Sequence, residues 1–310
     1  MRLAAITRPS SPQLRCLLRA FKSTYKDRKR GIGQAADAGK ASEAPPTAAA
    51  AISSSTSTWG AYLPWVAGGL LVYGAGVGAT LLYFGGVGGA CDRCVTERER
   101  RSAYDTGAAT YEKDVIAGEA WYGILDLRKK LMRKASGRVL EVAAGTAVNV
   151  AKNYYPKGCT IVATDCSPRM VDVATKTLSG RGAGRGGVDA MVEAVVQMDA
   201  DRLNFTDGAF DTVVDTFGLC SFEDPSATLG EMRRVCRVGG RVLLLEHGRS
   251  SFPPVNYLLD RSSTGHAVRW GCFWNRDIHR IVAAVPGFRV VEQQRHHLGT
   301  TYVYVLERVS

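Results

Sequence analysis

The sequence predicts an α/β fold: a doubly wound, mostly parallel, seven-stranded sheet preceded by one transmembrane helix. Three observations carry this. Past residue 102, short apolar runs alternate with helical segments, as strands buried on both faces and their crossover helices do. One run, VLEVAAGTAVNV over residues 139–150, places an acid and a small-residue bend just before a helix start. Far upstream, no charged residue occurs from Ala44 to Cys91.

The first element is basic. Residues 1–43 hold ten Lys/Arg against Asp27, Asp37 and Glu43, so +7 of the net +11 sits there and the rest of the chain carries +4. Leu14, Leu17, Leu18 and Phe21 recur at helical spacing, with Arg15, Arg19, Lys22 and Lys26 on another face. Ser11 and Pro12 suit the start of that helix. A basic, amphipathic, nearly acid-free segment over 1–30 is the pattern of a mitochondrial targeting peptide; the other reading is a basic tail on anionic lipid. Residues 31–58 are rich in Ala, Ser, Gly and Pro and are expected to be a disordered linker.

Residues 59–90 hold the expected membrane span and its flanks. As a helix, the 25 residues from Tyr62 to Gly86 measure ~37 Å, enough for a hydrocarbon layer of ~30 Å. Trp59, Tyr62 and Trp65 stand at one end and Tyr83 and Phe84 at the other, where interfacial anchors belong. Gly74 and Gly78 form a GxxxG pair that permits close helix contact, and with it self-association. Next, Cys91 and Cys94 make a single CxxC. A structural zinc site wants four ligands, so these two are read as flanking the membrane, and no ligand cluster along the chain suggests a metal. The charged run TERERR is expected to be a solvated helix face. The eight cysteines read as reduced thiols rather than a disulfide framework.

The domain over 102–310 follows. A helix over 118–135 is expected to lead into a strand over 138–143, and a short helix into a strand over 160–165. A helix over 167–178 then precedes strands over 190–197 and 210–217. A helix over 226–236, a strand over 240–247, a helix over 275–285 and strands over 288–294 and 300–308 complete the list. GRGAGRGG (180–187) reads as a flexible insertion, and the weak charge of this body disfavours nucleic acid as a partner. In such sheets ligands bind past the carboxyl ends of the strands, where strand order reverses.

The bend after the first strand carries Glu141, Ala143, Gly145 and Ala147. Asp165 ends the second strand, 20 residues after Gly145, where a carboxylate can accept from both hydroxyls of a ribose or else cap the helix at Ser167 and Pro168. QMDADRLNF follows the third strand, VVDTFGLCSFEDP ends the fourth and RVGGRVLLLEH forms the fifth. With these motifs in this order, the domain resembles the class I S-adenosylmethionine-dependent methyltransferases. Their first motif is (D/E)xGxGxG, so alanine stands at 143 and 147 where the family has glycine. The resemblance implies a Rossmann-like sheet and S-adenosyl-L-methionine as cofactor. It implies cofactor contacts by Glu141, Ala143, Gly145 and Thr146 in the first motif, by Asp165 and Cys166, and by Met170 against the adenine. It also implies Asp199 on the adenine amino group with Ala200 beside it, and Thr216 near the methyl donor. The layout is similar to quinone-ring C-methyltransferases. VLEVAAGT, VCRVGGRVLLLEHGRS and HAVRWGCFWNRD are nearer to membrane-anchored thiol methyltransferases and the Oms-type proteins of the mitochondrial inner membrane, which implies that localisation.

Methyl transfer from a sulfonium is an in-line displacement that asks chiefly for alignment. A small-molecule acceptor is expected. A neutral acceptor needs a base, and His247 and Glu246 at the end of the fifth strand are the candidates, with His266 and His279 as further possibilities. His296 and His297 are expected on a sheet edge or loop. Two function classes stay open: an active methyltransferase on a mitochondrial membrane, or a non-catalytic respiratory-complex assembly factor that reuses the fold. The alanines at 143 and 147 favour the second and the retained acids the first.

Overall fold

Strands β1 (Arg138–Val142), β2 (Thr160–Asp165), β3 (Met191–Gln197), β4 (Phe210–Thr216) and β5 (Cys236–His247) are rich in Val, Leu, Ile and Thr and run parallel. β6 (Phe288–His296) and β7 (Thr301–Arg308) form a hairpin, and β7 inserts antiparallel against β5. The order is β3-β2-β1-β4-β5-β7-β6, so the sheet has seven strands, as expected, and is mixed. This computed structural model describes residues 95–179 and 190–310. The expected leader (1–30), linker (31–58) and span (59–90) lie outside the described residues, as does the 180–187 insertion. Among the described residues no helix is long and apolar enough to cross a membrane.

Two cores form because alternate residues of each strand point to opposite faces. Leu140 and Val142 of β1, Val242 and Leu244 of β5, and Tyr302 and Tyr304 of β7 face one core, shared with α6 (Pro225–Val235) and α8 (Ile278–Ala284). Val139, Leu243, Leu245, Val303 and Val305 face the other, shared with α3 (Ile124–Met132), α4 (Val148–Ala151) and α5 (Pro168–Ser179). The outer strand β6 is mostly exposed and charged, with Arg289, Glu292 and Arg295 along it, which blunts an open edge.

Several helices differ from expectation. The helix expected over 118–135 is two, α2 (Ala117–Trp121) and α3, because Gly123 between them takes φ +71°; a π-helical turn at Glu112–Ile116 precedes them. TERERR does form a helix, α1 (Glu97–Gly107), started by a capping box between Thr96 and Glu99. It is not a wholly solvated face, since Arg100 is only 2% exposed. α7 (Pro253–Trp270) was not expected at all. Its middle, DRSSTGH, lacks an apolar stripe, and its stability comes from packing against α1 and from the Pro-Pro start and Gly271 stop.

Candidate active site

β1 and β4 are neighbours with helices leaving in opposite directions, so a crevice opens past their carboxyl ends. The bend after β1 lines it. Ala143, Gly145 and Ala147 all take left-handed φ, at +46°, +56° and +59°. Alanine at 143 and 147 therefore preserves the glycine-type backbone rather than evading it, at a cost of roughly 1 kcal/mol or more each. The bend is tied down by Ala144 N–H donating to Thr164 O at 2.9 Å and Ala147 N–H donating to Ala144 O at 2.9 Å. A Cβ built on Gly145 would meet nothing within 4 Å. The space over the bend is open, and the neighbouring Thr146 hydroxyl is fully buried with no partner. The open cradle over Gly145 fits a bound nucleoside-type cofactor.

Asp165 crosses to the same bend. Its Oδ2 accepts from Gly145 N–H at 2.8 Å and its Oδ1 from Ser167 N–H at 2.9 Å, so it joins both motifs and also starts α5. Each oxygen keeps a lone pair for a ribose hydroxyl. Burial pushes this carboxyl above its usual range, against the lowering effect of the two N–H donors. Glu141, implied as a cofactor contact, lies 1% exposed beneath the bend. Its oxygens accept from Asn149 Nδ2 at 2.7 Å and Tyr155 Oη at 2.6 Å, so it braces α4 to β1. Asp199, implied on the adenine, is paired at 2.5 Å with Arg101 of α1. Met170 and Ala200 are buried beside the β2 and β3 ends, while Cys166 is half-buried, its thiol pushed up to about 12 chiefly by burial.

Arg128 was not anticipated. Its Nε and Nη2 donate to Glu119 at 2.7 and 2.8 Å, and its Nη1 donates to Thr216 Oγ1 at 2.8 Å and Asn149 Oδ1 at 3.3 Å. The guanidinium also lies 5.0 Å from the Phe217 ring centre. Thr216 is thus committed to a buried network that joins α2, α3, α4 and β4. The signal was present in the sequence: Arg128 shares one helical stripe with Ile124, Leu131 and Met132, and a charge on an apolar stripe needs a partner.

On the β4–β5 side, Phe217 takes φ +65° and stacks on His247 with ring centres 4.2 Å apart. Glu246 and Asp215 are fully buried. Burial drives both carboxyls up, Asp215 to about 7 against the lowering effect of its hydrogen bond with Glu246, and Glu246 further through the charge of Asp215. Glu246 Oε2 accepts from Cys220 N–H at 3.3 Å, so this carboxyl supports the loop from below, whereas His247 is half-buried at the strand end. His266 is held neutral, its pKa pushed down to about 3 by burial, and its Nδ1 donates to Cys272 O at 2.8 Å. His279 Nδ1 bonds Tyr304 Oη at 3.1 Å, and His297 lies on the β6–β7 hairpin, Nε2 at 2.9 Å from Tyr122 O. α1 closes this side. Arg100 donates to Ser221 O and Glu223, and Tyr104 Oη bonds Ser221 Oγ at 2.6 Å.

A family profile described as a methyltransferase domain matches residues 140–244. The chain is 29% identical over 228 residues to the mitochondrial methyltransferase OMS1 of Saccharomyces cerevisiae, covering 70% of this chain and 48% of that protein. It is 35% identical over 171 residues to the phosphatidylethanolamine N-methyltransferase of Cereibacter sphaeroides, covering 54% of this chain and 78% of that protein. The chain thus spans about half the length of the first of these relatives. A chain in the Haloferax volcanii complex of the Trm112 methyltransferase activator with a methyltransferase superposes with a TM-score of 0.52 at 18% identity, covering 67% of this chain and 98% of that one. That likeness bears on the fold, and the fold is the one the strand order describes. With the Gly145 bend, the cross-tied Asp165 and the 3-2-1-4-5-7-6 sheet in place, the chain belongs to the class I S-adenosylmethionine-dependent methyltransferases.

Proposed function

We propose that this chain is an active methyltransferase that moves a methyl group from S-adenosylmethionine to a small-molecule acceptor while anchored in the mitochondrial inner membrane. The observation that carries the catalytic part is the Gly145 bend, open above and tied to Asp165 at 2.8 Å. Bound there, the cofactor supplies a sulfonium methyl that needs no further activation. The residues of the chain do the rest. Gly145 offers a close backbone approach, and Asp165 accepts from the ribose. Arg128 and Glu119 hold Thr216 and Phe217 rigid beside the reacting end. His247, at the mouth of β5, takes the proton of a neutral acceptor.

The membrane part rests on residues 1–30 and 59–90 of the sequence and on the mitochondrial name of the yeast relative. Deleting 59–90 is expected to release the chain from membranes, and continued sedimentation after carbonate washing would contradict the span. The catalytic part is tested by titrating the detergent-solubilised full chain with S-adenosylmethionine. Micromolar binding is expected, and no heat at millimolar ligand would leave the fold a scaffold. That second reading draws on one observation, the strain at Ala143 and Ala147, which a family member under selection for tight binding would shed.

A further inference from the structure

We propose that Cys220, His247 and Cys272 form a site for a thiophilic d10 divalent cation, for which Zn2+ is the natural occupant. Their ligand atoms all lie within 4.8 Å of one another. The two cysteines are 52 residues apart in sequence, yet Cys272 Sγ lies 3.0 Å from Cys220 Sγ. A backbone bond joins the loops that carry them, Phe273 N–H donating to Cys220 O at 2.9 Å.

The geometry suits a tetrahedral ion. Two sulfurs ~2.3 Å from one ion stand ~3.8 Å apart, and a sulfur and a nitrogen stand slightly closer. Opening the thiol pair by less than an ångström, with the His247 nitrogen, within 4.8 Å of both sulfurs, closing onto the same ion, reaches that arrangement. Each ligand is already held from behind. Glu246 accepts from Cys220 N–H, His266 donates to Cys272 O, and Phe217 stacks on the His247 ring. Arg276 and Arg100 donate to Leu219 O and Ser221 O on either side of Cys220. Such supports fix ligand direction in metal sites. Both sulfurs are buried, Cys220 fully and Cys272 at 6% exposure, so two thiolates there need a compensating +2 charge.

Two cysteines and one histidine leave the fourth position of zinc to water or to an acceptor, which is the ligand set of an open rather than a structural site. Zinc takes the neutral imidazole, so the same ring cannot hold the proton of an acceptor at the same time. Metal occupancy therefore decides which role His247 plays. Metal content is read without turnover, so failure here leaves the methyl-transfer reading as it stands.

The test uses the full chain in detergent, carrying C91S and C94S so that the upstream pair cannot contribute. The chain is reduced, stripped with a chelator and reloaded with Zn2+ or, as a chromophore, Co2+. The expected result is one equivalent of Zn2+ held against a competing chelator, with a thiolate-to-Co2+ charge-transfer band. C220S/C272S should lose both, and H247Q should weaken Zn2+ retention by at least about tenfold. S-adenosylmethionine binding and far-ultraviolet circular dichroism on each variant report whether it has folded. Zinc retention in the C91S/C94S chain no greater than in a folded C220S/C272S variant overturns the proposal. So does mass spectrometry that finds Cys220 and Cys272 joined as a disulfide in a chain isolated without reductant and unable to take Zn2+ once reduced.

Discussion

On the β1–β2 side of the crevice, the groups that matter are neighbours in sequence. Gly145 meets Asp165 20 residues on, and Glu141 meets Asn149 and Tyr155 within 14. On the β4–β5 side the partners are far apart: Cys220 meets Cys272, and Arg100 meets Ser221 across 121 residues. The first side is a local motif that any strand–bend–helix unit can carry. The second exists only once α1, the β4 loop and the turn after α7 have come together. The β1–β2 side therefore tolerates side-chain drift while its backbone is kept, and the β4–β5 side depends on a unique tertiary assembly.

The contrast can be broken at four points. Glu119→Ala strands the Arg128 guanidinium in the interior that links the two sides. It should cost ~3–5 kcal/mol in urea unfolding, and a loss under 1 kcal/mol would show that the pair is not needed. Gly218→Ala places a Cβ in collision with Asp215 Oδ1, so a shift of the β4 loop and a loss of ~1–3 kcal/mol are expected, measured by thermal melting.

Asp165→Ala should leave the domain folded and lower S-adenosylmethionine affinity at least tenfold, about 1.4 kcal/mol, by calorimetry. The pH dependence sharpens this. In the proposed contact the ionised carboxylate accepts from the hydroxyls, and burial raises its pKa. Affinity is therefore full above that raised value and falls about tenfold per pH unit below it, whereas Asp165→Asn should be flat. A wild-type profile as flat as that of Asp165→Asn would remove Asp165 from the contact. The smallest effect is Ala143→Gly. Relief of the φ +46° strain, less the extra chain entropy of glycine, should gain on the order of 0.5 kcal/mol in denaturant midpoint. A loss would mean that the methyl group packs usefully.

The same division governs what could be read before the fold was known. All seven strands, the Gly145 bend and Asp165 were legible because apolar runs and short-range spacing are local properties. α7 was missed because tertiary contacts, not its own pattern, make it helical. The helix expected over 118–135 is broken at Gly123, whose left-handed backbone stops α2 before α3 begins. For Glu141 and Asp199 a cofactor role comes from resemblance alone; Tyr155 and Arg101, which pair with them, carry no signal along the chain. The Cys220–His247–Cys272 group escaped notice for the same reason, since ligand spacing is informative only within a loop or a helix turn.

Arg100 and Tyr104 belong to an eleven-residue helix that lies outside the β1-to-β7 engine yet walls its mouth. Such a part can be traded between relatives as one cassette. Substrate preference can then diverge along a lineage, or in a directed-evolution library, while the machinery that grips the cofactor is inherited intact.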